Sequence, residues 1–133
     1  MIGKGRAVFK RIDHVEITTP DIEKSIAFFT NIMGFKLKER RKNEAGPLQE
    51  IAFYTLGDTM IELMYPRNPA PASTQPWQVG YHGMAIQVED MDKALAYLKD
   101  KGVEIVSGPS GTGTSKRAVI KDPTGVPIEL RTW

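Results

Sequence analysis

Two carboxylates stand in matching places in this chain, Glu62 within Ile61-Glu62-Leu63 and Glu129 within Ile128-Glu129-Leu130. On a strand, the flanking Ile and Leu turn to one face and the Glu to the other. Both copies keep Glu where any polar residue would satisfy the pattern. That favours a shared chemical role: holding a divalent cation, or moving a carbon-bound proton. His14 shares a strand face with Glu16, opposite Val15 and Ile17, and lies seven residues before Asp21. A second imidazole, His82, is out of step. Seven residues before Asp90 stands Gly83, and His82 falls in phase with Met84, Ile86 and Val88, the face expected to pack on a helix. A one-residue slip turns a side chain to the other face, so His82 shares a face with Glu129 only if a bulge at Gly83 restores the phase. With all four, two imidazoles and two carboxylates suit Zn²⁺, Ni²⁺, Co²⁺, Mn²⁺ or Fe²⁺. Without His82, His14, Glu62 and Glu129 leave a more open site that leans toward harder ions. With no metal, two carboxylates in one cavity should push each other's pKa apart.

The elements that must position these groups also occur twice, and a repeat of this kind governs the whole fold. Residues 11 to 18 alternate as a half-buried strand. Thr19 is expected to cap a helix with Pro20 at its first position, and Ile22, Ile26, Phe29 and Met33 form its buried stripe. Gly34 ends it, and strands follow at Lys36–Arg40, about Glu50–Leu56 and Met60–Tyr65, with Gly57-Asp58 as a turn. The second half repeats the order. A strand runs from about Tyr81 to Val88, then a helix capped by Asp90 with Met91, Ala94, Leu95 and Leu98 inward. Strands near Glu104, Ala118 and Ile128 follow. The fold class is therefore α+β, two βαβββ modules at 11–66 and 80–133. The linker, 67–79, is rich in proline, which sustains neither a ladder nor a helix. Ser107–Arg117 reads as a strand connection, or as a lid with Lys116 or Arg117 placed to pair a substrate carboxylate. Trp77, Tyr81 and Trp133 are expected at the cavity mouth, in the core or at a dimer contact.

Bulk properties exclude several classes. The 133 residues contain no Cys, which removes disulfides, thiolate nucleophiles and thiolate-bound zinc. Eighteen basic residues against sixteen acidic ones leave a net charge of +2, too even for a nucleic-acid partner. The basic run Lys36, Lys38, Arg40, Arg41, Lys42 reads as a solvated strand edge that discourages pairing with other chains. No apolar run reaches membrane-spanning length, so a cytoplasmic protein without membrane partners is expected.

In this order, the motifs resemble the vicinal oxygen chelate superfamily, the group of glyoxalase I, methylmalonyl-CoA epimerase, extradiol dioxygenases and bleomycin-resistance proteins. The carriers are His14, Pro20-Asp21 with Phe28-Phe29, Ile61-Glu62-Leu63, Val88-Glu89-Asp90, and Asp122-Pro123-Thr124-Gly125 before Ile128-Glu129-Leu130. The resemblance implies curled sheets around a cavity and a homodimer. It also implies a metal held by first- and last-strand residues of each module, here His14, Glu62, Glu129 and His82. The implied activity is a metal-dependent, glyoxalase I-like lyase or isomerase acting on a small α-oxygenated carbonyl compound or its thiol adduct. Glu129 or Glu62 would be the base. Two departures speak against glutathione: bacterial glyoxalase I has an Arg where this chain has Thr18, and an Asn where it has Pro66. The alternatives are a methylmalonyl-CoA-epimerase-like isomerase, supported by the Leu56–Leu63 hairpin, and a metal-free small-molecule-binding protein of the bleomycin-resistance kind. An extradiol dioxygenase would depend on His82.

Overall fold

The computed structural model describes residues 8–72, 75 and 77–133. Part of the expected linker, residues 73, 74 and 76, lies outside them. The first module comprises β1 (Val15–Thr18), helix α1 (Ile22–Ala27), and strands β2 (Lys36–Lys42), β3 (Leu48–Leu56) and β4 (Thr59–Pro66). The second comprises β5 (Met84–Gln87), α2 (Met91–Asp100), β6 (Ser107–Thr112), β7 (Ser115–Lys121) and β8 (Pro127–Arg131). Each module forms one four-stranded sheet, ordered β1-β4-β3-β2 and β5-β8-β7-β6. In both, the first strand runs parallel to the last, and the other pairs are antiparallel. The expected pair of βαβββ modules is what the chain forms.

Alternation along the strands sorts their side chains. In β8, Ile128 and Leu130 are buried while Glu129 and Arg131 are only half-buried. In β3, Glu50, Ala52 and Tyr54 turn inward. Helix α2 buries Met91, Leu95 and Leu98 in the same core. One apolar core draws on both modules, and the Tyr97 hydroxyl of α2 donates to the Ile32 carbonyl of the first module at 2.7 Å. Burying each such Leu or Ile removes it from water at a gain of about 1.5–3 kcal/mol. The basic strand β2 is fully exposed at the sheet's outer edge, as its charge requires.

Several expectations are corrected. The strand is ordered only over Val15–Thr18, short of the expected start at residue 11. Asp21, not Thr19, caps α1, accepting from the Lys24 amide at 3.1 Å. Thr19 is buried instead, its hydroxyl 2.7 Å from that of Ser25. Pro20 therefore precedes the cap. The helix continues over Phe28–Ile32 with a wider turn that closes Met33 N–H onto the Phe28 carbonyl, and Phe28 and Phe29 are both buried. Ser107–Arg117 is neither loop nor lid: it is the β6–β7 hairpin. Its glycines hid this, since they carry no strand signal. At Gly111 a Cβ would lie 2.2 Å from the Ser115 carbonyl oxygen, so only glycine lets the two strands approach there.

Gly83 has a similar constraint with a functional consequence. The register sets Val15 beside Ile61 and Met84 beside Ile128, so Gly83 occupies His14's place in the second module. A Cβ on Gly83 would sit 2.4 Å from the Pro127 carbonyl oxygen. No imidazole fits at that position without moving β5 off β8. Gly83→Ala is expected to destabilise the fold by about 1–3 kcal/mol through this overpacking. Chemical denaturation checks it, and an unchanged midpoint would count against the close approach.

Candidate functional site

Parallel pairing of β1 with β4 sets Glu16 beside Glu62, and antiparallel pairing of β3 with β4 sets Phe53 on Glu62's other side. His14, just ahead of β1, completes the group. Its Nε2 lies 3.0 Å from Glu62 Oε1 and 3.8 Å from Glu16 Oε2. Its Nδ1 lies 2.8 Å from the Asp13 carboxylate, and its ring meets Phe53 edge-on with centroids 5.4 Å apart. One ligand atom from each of His14, Glu16 and Glu62 falls within 4.8 Å of the other two. An imidazole nitrogen and two carboxylate oxygens converging in this way make a donor set suited to a divalent cation. Asp13 supplies the partner that fixes the imidazole's tautomer and leaves Nε2 facing the cluster. Glu16 was missed as a donor by sequence reasoning. The signal was present, because Glu16 shares the alternation of His14, but its counterpart Ala85 in the second module offers no repeat to draw attention to it.

The electrostatics follow from this crowding. The His14 imidazole is held above its ordinary value, chiefly by its hydrogen bond to Asp13 and further by Glu62 and Glu16. Asp13 is correspondingly lowered by His14. Glu62, only 8 % exposed, is raised by burial and by the Glu16 charge, with His14 acting the other way. Glu62 is thus the carboxylate better able to accept a proton.

The second module builds a different half. His82 precedes β5 and stacks on Trp77, with centroids 5.5 Å apart and planes 11° apart. It lines a recess with Gly83, Met84, Ala85, Val119, Pro127 and Glu129. The β5–β8 register is regular over its four pairs, and Met84, Ile86 and Val88 pack against the core as parity demanded. Glu129 stands beside Ala85, with Arg117 and Arg131 each 3.9 Å from its carboxylate. The structure therefore brings His14 to Glu62, and His82 to the recess of Glu129. Among the described residues, no group of three or more metal-binding side chains joins the two halves within one chain. Trp77 and Tyr81 are exposed, and Trp133 lies under the Arg131 guanidinium.

His14's raised value means that the folded chain binds the imidazolium proton more tightly than the unfolded chain does. The stability this adds is full below the ordinary value of 6.5 and fades as pH rises through the folded-state value. NMR titration of metal-free protein is expected to place His14 above 6.5, with Asp13→Asn lowering it. A value at or below 6.5 in the unaltered protein would contradict the Asp13–His14 contact.

The sequence model of the Glyoxalase/Bleomycin resistance protein/Dioxygenase superfamily matches residues 11–130. The chain is 34% identical over 132 residues to the mitochondrial methylmalonyl-CoA epimerase of Homo sapiens, covering 90% of this chain and 72% of that protein. It is 36% identical over 127 residues to the probable lactoylglutathione lyase of Vibrio cholerae, covering 90% and 88%. A solved structure of a glyoxalase family protein from Bacillus cereus superposes with a TM-score of 0.78 at 26% identity, covering 98% of this chain and 97% of that one. Its sequence relatives thus include proteins named as an epimerase and as a lyase, and its fold matches that of the glyoxalase family protein. The chain belongs to the Glyoxalase/Bleomycin resistance protein/Dioxygenase superfamily.

Proposed function

We propose that this protein is a metal-dependent lyase or isomerase of the glyoxalase I kind, acting on a small α-oxygenated carbonyl compound or its thiol adduct. The observation that carries this reading is the convergence of His14, Glu16 and Glu62 within 4.8 Å. A divalent ion held there would supply Lewis acidity at two neighbouring substrate oxygens as negative charge develops on them. The chain's own residues do the rest. His14 donates Nε2 while Asp13 holds its other nitrogen. Glu62, shielded from water and raised in pKa, takes the proton from the carbon beside the carbonyl and returns it to the neighbouring carbon. Phe53 packs against the imidazole and keeps that side dry.

His82 and Glu129 enter the same site from a second copy of the chain. β1 and β5 are each an edge strand of their sheets, and half of the candidate donors lie on or beside each. The halves also differ in charge: acids crowd around His14, whereas two arginines flank Glu129. A homodimer that sets the first module against the partner's second would bring these complementary faces together. A second reading, an epimerase-like isomerase acting on an acyl thioester, is favoured by the 34% identity to methylmalonyl-CoA epimerase. Both readings share removal of the proton beside the carbonyl; they differ in substrate and in where a proton returns, to the neighbouring carbon in the lyase reading and to the opposite face of the same carbon in the epimerase reading.

Protein purified without chelator is expected to carry stoichiometric Zn²⁺, Ni²⁺, Co²⁺, Mn²⁺ or Fe²⁺ by elemental analysis, and His14→Ala to lose it. No bound metal, together with no metal-induced rise in Tm, would favour a metal-free binding protein. Glu62→Gln is expected to lower kcat by about 10²–10⁴-fold, the usual worth of a positioned base. The assays are methylglyoxal with a panel of thiols, and methylmalonyl-CoA epimerisation. Mixing inactive His14→Ala and Glu129→Gln chains is expected to restore about a quarter of the activity if sites span a twofold dimer. No recovery after subunit exchange would place each site within one chain.

A further inference from the structure

The two modules differ most where their repeat positions should match. Ile51 faces Met64 across β3 and β4. The equivalent pair across β7 and β8 is Arg117 facing Arg131. The sheet itself needs nothing polar there, since the first module uses two apolar side chains at the same place. Like charges directly opposite each other weaken a sheet. Glu129, two residues along β8, offsets only one of the two charges. It lies 3.9 Å from each guanidinium, beyond hydrogen-bond distance.

Arg131 is nevertheless held in place. Its Nη2 donates to the Ser115 hydroxyl at 3.1 Å, and its guanidinium carbon lies 4.2 Å above the Trp133 ring. Among the described residues its buried Nε–H has no acceptor, and its Nη1 reaches Glu129 only at 3.9 Å. Arg117 is 61% exposed and faces the same side. The result is a held fork beside an exposed one, carrying a net charge of +1 once Glu129 is counted. Guanidiniums arranged in this way bind planar oxyanions through paired hydrogen bonds.

We propose that Arg117 and Arg131 form a subsite for one carboxylate, so that the substrate is an α-oxygenated carbonyl compound carrying that group. A single negative charge neutralises the cluster, whereas a phosphate dianion would overshoot it. The inference rests on the catalytic reading for its neighbour, since Glu129 separates this fork from the recess of His82. In that geometry the carboxylate anchors one end of the substrate while the reacting carbons lie toward the donors.

The test uses metal-free protein, so that metal binding and anion binding fail separately. Lactate is titrated while the Trp133 indole resonance is followed by NMR, with inorganic phosphate as the second probe. Saturable lactate binding is expected, weakened about tenfold by Arg117→Gln and by Arg131→Lys, which keeps the charge but loses the fork. Lys42→Gln, a charge removed from the distant edge of the other sheet, is expected to leave lactate binding unchanged. Lactate binding that survives both arginine substitutions, or that is no weaker in them than in Lys42→Gln, would overturn the subsite. Phosphate binding without lactate binding would overturn the choice of a carboxylate. Absence of metal alongside intact, arginine-dependent lactate binding would sink the catalytic reading and leave the subsite standing.

Discussion

The parallel pairing of the first strand of each module with its last is the constraint on which everything else depends. Neighbours in sequence cannot form it, and a crossover through α1 or α2 is needed to bring the strands side by side. Once formed, it sets Glu16 against Glu62 and Ala85 against Glu129. Residues 46 apart in one module then share a few ångströms of one face. The chemistry of each half is a consequence of that register.

The two faces of each sheet divide the work. The helix-facing side carries Ile61, Leu63, Ile128 and Leu130 into the core. It also holds a polar group of its own: Arg40 reaches Glu50 on β3 and Glu23 on α1, tying the helix to the sheet. Glu50 is buried there, and such a carboxylate is tolerable only when paired. Nearby, the buried Tyr54 hydroxyl has no partner among the described residues, and burial pushes its pKa up to about 12. The opposite face keeps its ionisable groups close together and half-shielded, which suits reactivity more than stability.

Duplication supplies the frame, and the departures from it supply the chemistry. Where the first module has His14, Glu16, Ile51 and Met64, the second has Gly83, Ala85, Arg117 and Arg131. A pair of identical halves would offer two equivalent cation sites. These halves instead differ in charge, the first crowding acids around His14 and the second flanking Glu129 with two arginines.

Much of the fold followed from local pattern. The βαβββ order, the Ile-Glu-Leu alternation and the core face of Met84, Ile86 and Val88 depend on periods of two and 3.6 residues, which any reader of the chain can count. The pairing of His14 with Glu62, and the mismatch at Gly83, also followed, because a repeat carries its own register. Three things did not. Glu16 became a candidate donor only through Glu62 beside it on β4, because alternation with His14 gives its face but not what it meets there. Asp21 displaced Thr19 as the cap because Thr19 found a buried partner in Ser25, six residues on. The place of β6, expected near Glu104 and formed at Ser107–Thr112, escaped notice because its glycines serve close backbone approach, which leaves no apolar signal. The sequence by itself determined which residues are able to act and which strand face each occupies, since alternation is a local property. Tertiary structure decided which of them meet, and separated the donors into two halves, because contact between strands depends on register and on closure of the chain.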